Sequence, residues 1–256
     1  MTWIELDGAV NVRDLGGLPT EDGGKTVDAR LLRSDNLQEL SAADIELLVR
    51  EIGVTTVIDL RSSSELASEG PAPLDSVPGV RHAHHPILPE HGTATDVADA
   101  LLTRRDRDLS LYPDNPTCGH YLGYLEDRPG QVVAALRTIG RCDGAALVHC
   151  AAGKDRTGVV VALALTAAGV RPEAVVSDYA ASAERLDAVL DRLRGSRTYS
   201  DDVSSKPAVS LQPKAETMAA FLEQMRSRHG GVTSWLTGHG FTADELGLLR
   251  SRLRDA

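Results

Sequence analysis

The sequence predicts an α/β fold: a central, mostly parallel, twisted sheet of four or five strands flanked by helices, with a helical C-terminal layer. Three observations carry that expectation. Apolar, β-branched runs such as Val54–Leu60 and Ala145–His149 are bounded by turn-formers, as buried strands are. Segments with the helical apolar period stand between them, the alternation that parallel strands need for their crossovers. From Pro172 onward the helical pattern recurs without a further strand signal.

Asn11–Gly17 and Glu21–Gly24 are dense in turn-formers and read as a loop leading to a short strand near Ala29–Arg33. Ser41 can cap a helix whose Ile45, Leu47 and Leu48 form an apolar stripe running to Gly53. After strand Val54–Leu60, Ser62 and Glu65 stand at capping-box spacing and start another helix at once. Val80–Leu88 alternates weakly and is the next strand candidate. Pro89–Pro116 is mixed, with a helix around Thr95–Arg105 and a proline-punctuated stretch after it, and reads as mobile surface structure. Gln131–Ile139 reads as a helix, Ala145–His149 as a short buried strand, and Arg156–Ala168 as an apolar helix ended by Gly169. Pro172–Leu193 is helical, Arg194–Pro213 is a polar loop, and Lys214–Arg228 and Thr242–Leu253 are further helices. Nothing before Arg194 reads as a linker. Residues 1–256 therefore read as a single domain, an α/β core over 1–193 with the loop and helices of 194–256 packed on it.

With 256 residues, 42% of them hydrophobic and 25% charged, the chain can bury a sizeable core, which excludes fibrous and disordered classes. The 37 acidic against 27 basic residues give a formal charge of −10, which argues against nucleic-acid partners and stable membrane association. Three cysteines are too few and odd in number for a disulfide framework, and they fit a reducing, cytoplasmic compartment. The N-terminus shows no signal-peptide pattern, and the longest apolar stretch, Val159–Val170, is too short to span a bilayer.

The chemistry concentrates in Val148-His149-Cys150-Ala151-Ala152-Gly153-Lys154-Asp155-Arg156-Thr157-Gly158, which joins a predicted strand to a predicted helix. A loop of this length can curl until its backbone N–H groups converge at a helix N-terminus, a point that favours an anion. Arg156 can add a planar grip on two phosphate oxygens, while Gly153 and Gly158 permit tight curvature and close packing. Cys150 sits at the bottom of this bowl, where the helix end, Arg156 and Lys154 favour its thiolate over the thiol. A thiolate beneath a phosphoryl group is a poised nucleophile. Reading Cys150 as a small buried hydrophobe suits Cys118 and Cys142 but leaves the residues around Cys150 as coincidence.

The run His-Cys-Ala-Ala-Gly-Lys-Asp-Arg-Thr-Gly resembles the signature loop of the cysteine-dependent protein tyrosine phosphatase superfamily. Further features resemble one branch, the bacterial tyrosine and lipid phosphatases typified by mycobacterial protein tyrosine phosphatase B. These are Asn11-Val12-Arg13-Asp14, Leu32-Arg33-Ser34, the strand ending Asp59-Leu60-Arg61-Ser62-Ser63, and Ser177-Asp178-Tyr179. The likeness covers most of the chain and implies a phosphatase-like sheet. By that resemblance Cys150 is the nucleophile, Arg156 the phosphate clamp, and Ala151, Ala152, Gly153, Lys154 and Asp155 the rest of the phosphate-binding loop. Thr157 would hydrogen-bond the sulfur and help it leave, His149 would orient the loop, and Arg13 with Asp14 could buttress it.

The reaction also needs a carboxylic acid to protonate the leaving oxygen. Asp59, at a strand end on the same sheet edge, matches the family's strand-end Asp and comes first. Asp155, inside the loop, comes second. Asp114 after Pro113 comes third, since no Trp precedes it. His82, His84 and His85 cluster without a carboxylate at ligand spacing, so no metal and no cofactor are expected. The expected function is metal-independent phosphomonoester hydrolysis through a phosphocysteine intermediate, most naturally on phosphotyrosyl proteins, with dual or lipid specificity open. Inorganic phosphate is the product. A small-molecule phosphatase acting on a sugar, nucleotide or biosynthetic intermediate is the first rival, and a non-catalytic phosphate-binding module the second.

Overall fold

The structure is a computed structural model describing residues 1–89, 109–110, 112–201 and 211–255. Six strands form one sheet: β1 (Thr2–Trp3), β2 (Arg13–Asp14), β3 (Leu31–Ser34), β4 (Val54–Asp59), β5 (Arg81–His84) and β6 (Ala145–His149), in the order β1-β2-β3-β6-β4-β5. The last four in that order run parallel, while β1 and β2 pair antiparallel at one edge. The parallel, twisted sheet is therefore present, and the opening segment expected as loop adds two short strands to it.

β6 takes the centre because it is apolar on both faces. Ala146 and Val148 point into the larger core, and Ala145 and Leu147 into the smaller one. The larger core receives α3 (Pro116–Asp127), α4 (Pro129–Gly140), α5 (Asp155–Ala167), α8 (Ala215–His229), α9 (Val232–Gly238) and α10 (Ala243–Leu253). α1 (Ala42–Glu46), continued by a π-turn over Leu47–Glu51, covers the other face with Leu48. Ser41 caps α1 as expected and forms a capping box with Asp44, and the predicted box of Ser62 with Glu65 forms at the start of α2 (Ser63–Glu69).

Several boundaries differ from the sequence reading. α3, capped by Asn115, and α9 carry no strong sequence signal. The single helix expected over Pro172–Leu193 is two, α6 (Pro172–Ala181) and α7 (Leu186–Gly195), separated by a 3₁₀ turn at Ser182–Arg185. Arg13 docks at this junction, its guanidinium donating to the Asp178 carbonyl at 2.7 Å and the Ser182 hydroxyl at 3.0 Å. The helix expected at Thr95–Arg105 lies outside the described residues, as do most of Pro89–Pro116 and the middle of Arg194–Pro213. Among the described residues no helix is long and apolar enough to cross a membrane.

α5 and α6 approach closely at Gly158, where a Cβ would lie 2.9 Å from Cδ2 of the buried Tyr179 ring. Gly158→Ala should therefore destabilise the fold, because overpacking of about 1–3 kcal/mol outweighs a helix-propensity gain of about 1 kcal/mol. Urea unfolding checks this, and a midpoint raised by the substitution would show that the two helices can separate freely.

Candidate active site

β3, β4 and β6 end level, with Ser34 and Asp59 both in register with His149. The loop from Cys150 to Lys154 thus leaves the middle of the sheet's carboxyl edge, where open α/β sheets form their crevices. Gly153 has φ +64°, and a Cβ there would come within 2.4 Å of the Ser34 carbonyl oxygen, so only glycine fits. Three successive carbonyls are tied outward. Ala151 accepts from Asn36 N–H at 2.9 Å, Ala152 from Asn11 Nδ2 at 2.9 Å, and Gly153 from Arg33 Nη2 at 2.6 Å. In a planar trans peptide the N–H points opposite to the C=O. The N–H groups of Ala152, Gly153 and Lys154 are therefore directed inward, where they join the free donors at the start of α5 in a cradle for an anion.

A buried ion cluster holds two of these ties. Asp178 on α6 bonds Arg13 Nε at 2.7 Å and Arg33 Nη1 at 2.6 Å, and Arg13 Nη1 in turn fixes Asn11 Oδ1 at 2.6 Å. Arg13, expected as a buttress, thus acts through Asn11. Asp14 does not share that role, since its carboxylate caps the N–H groups of Gly16 and Ala29 in a separate turn.

Cys150 is 2% exposed. Arg156 forms a fork with Glu65, Nη1 to Oε2 at 2.6 Å and Nη2 to Oε1 at 2.7 Å. Burial alone would lower the pKa of Arg156, but Glu65 more than offsets it and holds the guanidinium firmly charged. Burial opposes ionisation of Glu65 too, yet Arg156 and the Ser62 N–H bring its pKa down to about 2. Tyr199 also donates to Glu65, at 2.9 Å, and with Leu211 packs against the apolar cluster that joins Ala151 to α7. The described parts of the loop after α7 therefore lie over the phosphate loop.

The three candidate acids have different surroundings. Arg61 grips Asp59 through Nε and Nη2, at 3.0 and 2.6 Å, and His149 Nε2 stands 3.3 Å from Oδ2. Burial would raise the Asp59 pKa, but His149 and Arg61 outweigh it and hold the carboxyl well below the ordinary range. A group kept ionised in this way is a poor proton donor. Asp155 keeps a side chain that is 32% exposed, with Lys154 Nζ 3.4 Å from Oδ2. Asp114 is exposed in the turn before α3. Lys154 is buried, donating to the Leu211 carbonyl. His149 reaches the Cys150 carbonyl at 3.4 Å through Nδ1. The bond expected from Thr157 to the sulfur is not formed, and its buried hydroxyl has no partner among the described residues.

Sequence reasoning missed Glu65, Asn36 and the roles of Asn11, Arg33 and Asp178. Glu65 had a signal, but as a helix cap, a task that takes one bond at Oε2 and leaves both oxygens able to accept from Arg156 and Oε1 from Tyr199. Arg33 and Asp178 lay in motifs noted only for their likeness to a family. Their common function requires the two segments to meet in space.

The fold and loop together define a phosphate-binding α/β enzyme. The profile of the tyrosine phosphatase family matches residues 4–255, and the chain belongs to that family. The chain is similar to the triple specificity protein phosphatase PtpB of Mycobacterium tuberculosis, 29% identical over 97% of this chain and 98% of the relative. A candidate tyrosine-protein phosphatase of Cupriavidus necator is 31% identical over 98% of this chain and 86% of its own length. A tyrosine-protein phosphatase of Nostoc commune is 28% identical, over 88% and 74% respectively. The protein is thus a phosphatase of a cysteine-dependent family.

The depressed pKa of Glu65 has a stability consequence with a definite sign. Its folded value, about 2 against 4.5 for the free group, makes the contribution complete above about pH 4.5 and lost as the pH falls towards 2. Glu65→Gln should cost about 3 kcal/mol near neutrality, narrowing through that window. Urea titrations of both proteins at several pH values check this. A pH-independent difference would mean that Glu65 stabilises only through packing and capping.

Proposed function

We propose that this phosphatase hydrolyses phosphomonoesters through a phosphocysteine on Cys150, with phosphotyrosyl proteins as its principal substrates. The observation that supports this is a buried thiol under three outward-turned carbonyls, beside an arginine locked by Glu65. The non-bridging oxygens of a phosphate dianion take the inward N–H groups and the Arg156 guanidinium. The Cys150 thiolate attacks phosphorus in line; the S–P bond forms, the ester P–O bond breaks, and its electron pair and the proton of Asp155 go to the leaving oxygen. Water then attacks the phosphocysteine while the Asp155 carboxylate takes its proton, the S–P bond breaks, and inorganic phosphate leaves. The reaction as written uses no metal or cofactor.

Asp155 is preferred over Asp59 because its carboxylate is partly open while Asp59 is committed to Arg61 and His149. A bound phosphate dianion beside Asp155 favours its protonated form in the complex. Lys154 adds positive charge at the rim once its bond to Leu211 is released. Substrate access requires Tyr199 and Leu211 to move from the loop. A reducing, cytoplasmic setting suits a nucleophilic thiol. The names of the relatives support phosphotyrosine first and wider specificity second. The cover formed by Tyr199 and Leu211 is the one observation favouring a small phosphomonoester instead.

Cys150→Ser should abolish turnover of an aryl phosphate, and Arg156→Lys should impair it severely, since a point charge cannot replace the planar fork. Activity should persist in chelator. Normal turnover by the serine variant, or loss of wild-type activity in chelator, would overturn the mechanism. Asp155→Asn should slow a tyrosyl or alkyl phosphate by about 10² to 10⁴ while sparing an activated nitrophenyl-type ester. Asp59→Asn should weaken both alike, and the opposite pattern would restore Asp59 as the acid. Phosphopeptides, phosphoinositides and sugar or nucleotide phosphates compared side by side separate the substrate readings.

A further inference from the structure

The Tyr121 hydroxyl donates to Asp155 Oδ1 at 2.5 Å, and the hydroxyls of Tyr121 and Tyr179 lie 2.7 Å apart. Tyr121 comes from α3 and Tyr179 from α6, so two helices outside the phosphate loop converge on one carboxylate. Both rings are buried, at 0% and 1% exposure. A phenol has a single proton to give. Because Tyr121 gives its own to Asp155, Tyr179 must be the donor between the tyrosines, and the chain runs one way from Tyr179 to Tyr121 to Asp155. Oδ1 is then an acceptor in both protonation states of the carboxyl. A proton available to a leaving group must sit on Oδ2, the oxygen that faces Lys154.

We propose that Tyr121, backed by Tyr179, is a positioning residue for proton donation, fixing the Asp155 carboxyl with Oδ2 towards the substrate and stabilising the carboxylate left once the proton has gone. This rests on the reading of Asp155 as the general acid. The other charged or titratable groups around Asp155 are Lys154 and Arg156 in its own loop, His120 on α3, and Arg33 behind Tyr179. Burial acts to raise the Asp155 pKa, and Lys154, the Tyr121 hydroxyl and His120 act to lower it, with a net lowering. The Tyr121 bond is the one contribution that a single oxygen atom removes without changing charge.

Tyr121→Phe keeps the ring and deletes that atom. In the kcat profile of a tyrosyl phosphate, the alkaline limb should move up by about one pH unit, because the acid loses a hydrogen bond to its charged form. The rate at the optimum should fall about tenfold, since a weaker and less well oriented acid donates more slowly, while an activated nitrophenyl-type ester changes little. Tyr179→Phe should shift the same limb in the same direction by less, and it carries the test if Tyr121→Phe does not fold. In an Asp155→Asn background, Tyr121→Phe should add no further selectivity between the esters. A limb that stays in place in a folded Tyr121→Phe protein, or equal losses on both esters, would overturn the proposal, as would a limb that disappears in His120→Gln. An Asp155→Asn enzyme without ester selectivity would instead refute the acid assignment itself, whatever the tyrosine variants do.

Discussion

The buried carboxylate of Asp178 neutralises guanidiniums that have no access to water, and through them it sets the direction of the peptides that form the phosphate loop. Arg13 and Arg33 are both fully buried, and the Asp178 carboxylate offsets the cost of burying their charge. Removing one partner from such a cluster costs on the order of 3–5 kcal/mol, far more than a surface pair contributes. Burial lowers the pKa of Arg13 to about 10, with the nearby Arg33 acting in the same sense. Two guanidiniums against one carboxylate also leave a net positive charge directly beneath the loop. An anion in the cradle complements that charge, so the cluster that stabilises the fold also favours the ligand.

Three carboxylates stand near Cys150, and the environment of each decides what it can do. Asp59 has Arg61 on both oxygens with His149 beside it, and Glu65 has Arg156 on both. Both are held ionised and serve to orient cations. Asp155 alone pairs one occupied oxygen with one at a partly open face. Three carboxylates thus have three different settings, and the differences rest on neighbours drawn from distant parts of the chain.

That distinction marks how far the sequence could be read. Strands Val54–Asp59 and Ala145–His149 were legible because apolar, β-branched runs bounded by turns have few alternatives, and the Ser62 and Glu65 box was legible because capping is local. Cys150 and Arg156 were legible because their loop is contiguous. The surroundings of Asp59 and Asp155 were not, since they depend on Arg61 folding back on Asp59 and on Tyr121 arriving from a helix with no sharp sequence signal. The break between α6 and α7 was hidden as well, since no proline or glycine marks it and Arg13, which docks there, lies far away in the chain. β1 and β2 were hidden because two-residue strands show no periodicity.

The described residues after α7 are held against the site by bonds to α2 and to the phosphate loop. Glu65 and Glu69 share one face of α2, with Glu69 accepting from Ser196 Oγ at 3.0 Å and Thr198 N–H at 3.1 Å while Glu65 accepts from Tyr199. One short helix therefore holds the Arg156 clamp and the turn that lies across it. The Glu65 oxygens are bonded by Ser62, by both Arg156 nitrogens and by Tyr199, so departure of the turn removes a single donor from a carboxylate that keeps its fork. Lys154 in turn donates to the Leu211 carbonyl while standing beside Asp155, so the described parts of the segment after α7 are tied both to α2 and to the rim of the phosphate loop.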